Sequence, residues 1–193
     1  MQEIRFHGRG GQGTVVAAIL LSKAFFQAGF YVQSFPSFGV ERRGAPVEAY
    51  LRIDTDKILA RYTITEPDHI LVQDSRLMQT VRVTQGLKPG GWVLLNTPAG
   101  SDYIHLFSGF RLASIDATQI AWDNDLGTRT HPMVNTAMIG ALARILEKPP
   151  IDVITAAIKA EISIKPEANA RAAQQAFEQV TSHDVQPAGR TKD

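Results

Sequence analysis

The chain is 193 residues long, 44% hydrophobic and 20% charged, a composition sufficient to build and bury the core of one domain. Its 20 Lys and Arg against 19 Asp and Glu leave a formal net charge of +1, which lacks the basic excess of a nucleic-acid binder. There is no cysteine, so disulfides and thiolate-ligated zinc or iron–sulfur sites within the chain are excluded.

Met1-Gln-Glu-Ile-Arg-Phe-His7 enters a strand pattern directly, without the basic and apolar regions of a signal peptide. No apolar run approaches the ~20 residues of a membrane span. The expectation is a cytoplasmic protein with no membrane partner.

Ile4 to His7 alternates apolar and polar residues and meets Gly8, which predicts a short strand ending in a turn. The almost unbroken apolar run from Thr14 to Ala28 is too long for a usual strand and predicts a buried helix, capped by Gly29. Tyr31 to Phe35 is a second strand, ended by Pro36, and Ser37 to Pro46 is a loop. Val47 to Ile53 alternates as a half-exposed strand, and Asp54 to Lys57 turns into Ile58–Tyr62 as its hairpin partner. His69 to Gln73 is a short apolar strand, followed by a helix from Ser75 to about Val83 with Ser75 as cap. Gly90 to Asn96 and Leu112 to Ile115 are the last strands, the latter delivering Asp116 to a helix through about Asp123. Beyond His131-Pro132 the pattern gives three helices: Met133 to Leu146, Ile151 to Ile162 and Glu167 to Val180. One domain over 1–181 is expected, and residues 182–193 read as a disordered tail. Strands alternating with helices predict an α/β fold: a modified Rossmann-like, largely parallel sheet flanked by helices, with an inserted hairpin.

Gly8-Arg9-Gly10-Gly11-Gln12-Gly13 satisfies G-x-G-x-x-G between a strand and a helix, the context that gives this signature meaning. Glycines permit the tight turn and close approach of backbone N–H groups to an anion, and a helix starting near Gln12 points its positive end at the same place. A pyrophosphate suits that cradle, with Arg9 and Gln12 as side-chain donors. The plain alternative is a tight strand-to-helix connection without a ligand. The acid expected near the end of the second strand of an NAD-binding unit is missing, since YVQSF carries none and Glu41 lies in the loop beyond. This points away from hydride transfer.

Phe38-Gly-Val-Glu-Arg-Arg-Gly-Ala-Pro46 follows the second strand, on the sheet edge that carries the glycine loop. The forked donors of Arg42 and Arg43 suit phosphate. The alternative is that Glu41 pairs with one arginine and both are solvated.

His7-Gly-Arg-Gly-Gly-Gln-Gly13, Tyr31-Val-Gln-Ser-Phe-Pro36 and Phe38-Gly-Val-Glu-Arg-Arg-Gly-Ala-Pro-Val47, in this order and spacing, resemble the gamma subunit of the pyruvate/2-oxoacid:ferredoxin (acceptor) oxidoreductase family. Leu94-Leu-Asn-Thr97, Ile115-Asp-Ala-Thr118 and Asn135-Thr-Ala-Met-Ile-Gly-Ala141 extend the resemblance over residues 2 to 180. It implies a chain that is catalytically incomplete alone. Thiamine diphosphate and iron–sulfur clusters then belong to partner alpha, beta and delta subunits, and a ferredoxin-type or other electron acceptor takes the electrons. It further implies that this chain contributes coenzyme A contacts. Gly8, Arg9, Gly10, Gly11, Gln12 and Gly13 are the candidates to face the cofactor's phosphates, with Arg42 and Arg43 adding charge or docking the chain on its partners. The alternatives are a stand-alone NAD(P)-dependent dehydrogenase and a nucleotide-binding regulatory module.

Among other residues, His7 reads as a packed strand-end histidine, and Asp74 and Asp116 as helix caps. Asn135 either caps its helix or donates to the cofactor. His69, His105, His131 and His183 lack metal-ligand spacing, so no metal site is expected. Trp92 and Trp122 read as core.

Overall fold

The computed structural model describes residues 1–37, 44–98, 103–107 and 109–183. Strand β1 (Gln2–Arg9) turns through the glycine loop into helix α1 (Thr14–Gln27), followed by strands β2 (Tyr31–Pro36) and β3 (Pro46–Asp54). Strand β4 (His69–Val72), a 3-10 turn (Ser75–Gln79), strand β5 (Trp92–Asn96), a second 3-10 turn (Ile104–Phe107) and strand β6 (Arg111–Ile115) come next. Helices α2 (Ala117–Asp123), α3 (Asn135–Leu146), α4 (Ile151–Glu161) and α5 (Pro166–Gln179) precede a short strand β7 (Thr181–His183).

The strands form one sheet in the order β2-β3-β1-β4-β5-β6-β7. Its middle is parallel (β1, β4, β5, β6), while β3 runs antiparallel to both β1 and β2, and β7 runs antiparallel to β6. The α/β expectation holds. The hairpin differs from expectation: β3 pairs back with β2, and residues 58–62 form no strand. A second difference is at the C-terminus, where Ser182 and His183 belong to β7, so ordered chain passes the expected boundary at 181. Residues 184–193 lie outside the described residues.

The helices share one side. Ile4 and Phe6 of β1, Leu71 of β4, Leu94 of β5 and Ala113 of β6 pack with residues from all five helices into the larger core. Across the sheet, Ile70, Val72, Val93, Leu95 and Leu112 pack with Leu77, Val83, Leu87 and Phe107 from 3-10 turns and irregular chain. The expected helix from Ser75 is one of these turns; it stops at Gln79, and Asp74 caps it by accepting from the Arg76 amide at 3.0 Å. Asp116 caps α2 as expected, accepting from the Gln119 amide at 2.8 Å. Helix α1 is less enclosed than its apolar run suggests, because Val16, Ile19 and Phe26 face outward. Gly29, at φ 90°, closes α1 as expected, since a side chain is disfavoured in that conformation.

β3 is buried on both faces, contrary to the half-exposed pattern of its sequence. Its polar residues meet those of β1 in register: Glu3 opposite Arg52, Arg5 opposite Tyr50, His7 opposite Glu48. Segment 58–62 lies over this ladder. Arg52 is fully buried, donating to Glu3 Oε1 (2.7 Å), Gln33 Oε1 (2.8 Å) and the Tyr62 carbonyl (2.6 Å), with its guanidinium 4.6 Å from the Tyr62 ring centre. A buried guanidinium requires such acceptors on each of its nitrogens.

Candidate functional site

The carboxyl ends of β1, β4 and β5 open into a cleft of about 680 Å³. In an open α/β sheet this edge is where strand ends and helix starts converge to hold ligands. Arg9, Gly10, Gly11 and Gln12 form one wall, Gln73–Arg76 and Asn96–Pro98 the floor, and Trp122 with Arg129–Pro132 the far side.

The glycine loop is held by its own backbone. The Gly10 amide donates to the Ala45 carbonyl (2.9 Å) and the Gly44 amide donates to the Gly10 carbonyl (3.0 Å), carrying the β1–β3 pairing past the end of the strand. Gln12 Oε1 accepts from the Arg9 amide at 2.8 Å, and the Gln12 amide donates to the Arg9 carbonyl at 3.0 Å. Gly11, at φ 95°, stands exposed with open space where a Cβ would be. Among the described residues, no acceptor pairs with the amides of Gly11 or Gly13. The helix begins at Thr14, as the apolar run predicts, with Gly13 as its cap at φ 72°.

Gly8 and Gly13 shape the loop from behind. A Cβ on Gly8 would fall on the hydrogen bond between Thr14 Oγ1 and Gln73 Oε1 (2.7 Å). One on Gly13 would meet the Asn135 amide at 2.6 Å. Asn135, 2% exposed, thus backs the loop instead of lining the cleft, and its Oδ1 accepts from the Thr136 amide at 3.0 Å. Arg42 and Arg43 lie outside the described residues. His7 is packed, as expected: it is 2% exposed, and Nε2 accepts from Arg5 Nε at 3.0 Å. The ring proton therefore sits on Nδ1, 3.3 Å from Glu48 Oε1. Burial, with Glu48 acting against it, pushes the His7 pKa down to about 4, so the ring is neutral at pH 7.

One carboxylate organises the arginines. Asp74 Oδ2 accepts from Arg9 Nε (2.9 Å) and Arg76 Nη2 (2.9 Å), while Oδ1 accepts from Arg76 Nε (3.0 Å). Burial acts to raise the Asp74 pKa, but the hydrogen bonds from Arg76 and Arg9 outweigh it and hold the carboxyl below its ordinary range. Arg9 is further tied to the Gly44 carbonyl at 3.1 Å. Across the cleft, Arg129 lies 5.1 Å from the centre of the Trp122 indole. Trp122 is thus a half-buried wall of the cleft and not core, whereas Trp92 is buried as expected, with Arg111 stacked at 3.9 Å. Among the described lining residues, three guanidiniums face one carboxylate, a field that favours an anion.

The sequence reading missed Gln73, Arg76, Asn96, Trp122 and Arg129 as cleft residues. The ends of the parallel strands were the available signal for Gln73 and Asn96; nothing local marks the others. The missing NAD acid has a structural counterpart. β3 separates β2 from β1, so the end of β2 stands roughly 10 Å away, two strand spacings, from the glycine strand. Among the described residues no group of His, Cys, Asp and Glu could hold a metal ion, and no helix is long and apolar enough to cross a membrane.

This sheet order, with its glycine loop and cationic cleft, is that of an oxidoreductase subunit: the chain belongs to the pyruvate ferredoxin/flavodoxin oxidoreductase family, whose model matches residues 3–179. The relatives it matches within that family are subunits of such oxidoreductases, among them ones named subunit gamma. It is 49% identical over 181 residues to the pyruvate synthase subunit PorC of Methanocaldococcus jannaschii, covering 93% of this chain and 97% of that one. It is 46% identical over 189 residues to the pyruvate/ketoisovalerate oxidoreductases common subunit gamma of Pyrococcus abyssi, covering 96% and 100%. The crystal structure of the Thermotoga maritima pyruvate oxidoreductase subunit PORC matches with a TM-score of 0.79 at 32% identity, covering 95% of this chain and 98% of that one. The fold also recurs in a 2-oxoglutarate:ferredoxin oxidoreductase from Magnetococcus marinus, described with 2-oxoglutarate, coenzyme A and succinyl-CoA bound. There the TM-score is 0.74 at 19% identity, over 97% of this chain and 33% of that one.

Proposed function

We propose that this gamma subunit holds coenzyme A for a 2-oxoacid oxidoreductase whose thiamine diphosphate and iron–sulfur clusters reside in alpha, beta and delta partners, with a ferredoxin-type acceptor taking the electrons. Its lack of cysteine agrees with clusters carried elsewhere. The carrying observation is the junction, in one cleft, of three guanidiniums with an exposed glycine loop whose Gly11 and Gly13 amides are unpaired among the described residues. Such a site suits the diphosphate and 3′-phosphate of coenzyme A: backbone N–H groups at a helix start take one anion, and forked guanidiniums take another. Bound coenzyme A supplies the thiol that receives the acyl group. This chain's part is to fix the phosphates and so set where the thiol arm can reach.

The test is calorimetric titration of the assembled complex with coenzyme A, comparing the parent with Gly11→Val and Arg76→Ala. Gly11→Val places a branched side chain in the open space of the loop and should weaken binding about tenfold or more, the scale of lost charge-assisted hydrogen bonds. Arg76→Ala, at a largely exposed side chain, should cost about threefold. Unchanged affinity in both variants would remove the cofactor from this cleft.

A further inference from the structure

Four polar atoms in the cleft residues have no partner among the described residues. Gln73 Nε2, Asn96 Oδ1, Thr97 Oγ1 and Trp122 Nε1 are closed to solvent and, among the described residues, hydrogen-bonded to nothing. Only Gln2 Oε1 and His69 Nε2 share that condition elsewhere among the described residues. Each buried orphan costs a fold about 1–3 kcal/mol, so their concentration on the floor and far side of one cleft calls for a cause.

The chemistry of the four atoms narrows the guest. Trp122 Nε1 can only donate. Asn96 Nδ2 donates to the Gln73 backbone carbonyl (2.9 Å) and to Thr118 Oγ1 (3.1 Å), which fixes the amide and leaves Oδ1 as an acceptor. Gln73 Oε1 is engaged by Thr14, leaving its Nε2 as a donor, and the Thr97 hydroxyl serves either way. A phosphate or carboxylate offers acceptors alone and would strand Asn96 Oδ1. An ammonium offers donors alone and would strand Trp122 and Gln73. A neutral group with a donor beside an acceptor satisfies all of them.

We propose that the floor and far side of the cleft read such a neutral donor–acceptor edge, either a secondary amide or the amino-bearing edge of adenine, next to the anion-binding loop. The inference rests on the coenzyme A reading and deepens it, because coenzyme A carries both groups: amides in its pantetheine arm and adenine in its nucleotide. Asn and Gln side chains pair well with adenine for the same reason they pair with amides. The four atoms are closed to water, so a guest reaches them only once the residues covering them shift.

Thr97→Val and Trp122→Phe remove a hydroxyl and an N–H while keeping shape and ring. In the assembled complex, each is titrated with coenzyme A, 3′,5′-ADP, 4′-phosphopantetheine and pyrophosphate. Each variant should weaken coenzyme A about fivefold, the scale of one neutral hydrogen bond, and leave pyrophosphate unchanged. A loss shared with 3′,5′-ADP supports the proposal with adenine as the edge, and one shared with 4′-phosphopantetheine supports it with the amide. Unchanged coenzyme A affinity in both variants, or an equal loss for pyrophosphate, overturns it. Gly11→Val separates the two levels. If it weakens coenzyme A while Thr97→Val and Trp122→Phe do not, the phosphate placement stands and the role of the floor and far side falls. A parent complex that does not bind coenzyme A overturns both.

Discussion

Asp74 does three things with two oxygens. It caps the 3-10 turn after β4, anchors Arg76 and holds the Arg9 side chain against the glycine loop. An isolated arginine keeps many rotamers, and ordering it costs free energy that the ligand would otherwise have to supply. A carboxylate already bonded to both guanidiniums removes that cost before the ligand arrives. Asp74→Ala, which loses the cap and leaves Arg9 without its partly buried partner, should lower the unfolding free energy by about 2 kcal/mol. Asp74→Asn retains an acceptor for the Arg76 amide and should lose less. Urea denaturation of the two variants measures the difference, and equal losses would mean that the cap contributes nothing.

Among the elements, α3 and α5 meet closely because Gly140 has no side chain. A Cβ there would fall on the Ala173 carbonyl oxygen, a backbone atom that cannot turn aside. Gly140→Ala gains helix propensity of roughly 1 kcal/mol, but it forces two packed helices apart and should be net destabilising by about 1–3 kcal/mol. A melting temperature at or above the parent's would contradict this contact. Several elements were legible in the sequence because their causes are local: the strand–glycine–helix start, the Gly29 cap and the three C-terminal helices read directly from period and punctuation. The position of β3 was not legible. Alternation marks a strand but carries no information on its neighbours, and the same Glu48-x-Tyr50-x-Arg52 face suits water or a partner ladder equally well. Segment 58–62 reads as a strand by composition, yet it lies over that ladder, leaving Leu59 and Tyr62 largely exposed. In the cleft, only the glycine loop was legible. Gln73, Asn96 and Trp122 come from separate segments that the fold alone brings together.

For the whole molecule, acid is the condition that separates its buried groups. His7 and His69 are held near pKa 4, both chiefly by burial, against about 6.5 in the unfolded chain. Above pH 6.5 both states are neutral at these rings and stability does not depend on them. As pH falls from about 6.5 to about 4, the unfolded chain takes up the protons first and stability declines, on the order of 3 kcal/mol for His7 alone. Asp74, with its lowered pKa, adds a loss only below the ordinary carboxylate range. Melting temperatures should therefore be flat from pH 8 to about 7 and fall steeply below 6.5, with a shallower fall in His7→Gln; a flat profile down to pH 5 would contradict the buried neutral rings. The placing of all five helices on one face of the sheet carries a mechanical consequence. That face is backed by a deep apolar layer, whereas the opposite face of the same strands is covered by a thin one built from short turns. Regions with little buried apolar contact open at lower free energy than those with much. The chain is therefore stiffest on its helical side, and the turns across the sheet, Ser75 and Arg76 at the cleft among them, can open without loosening the layer behind them.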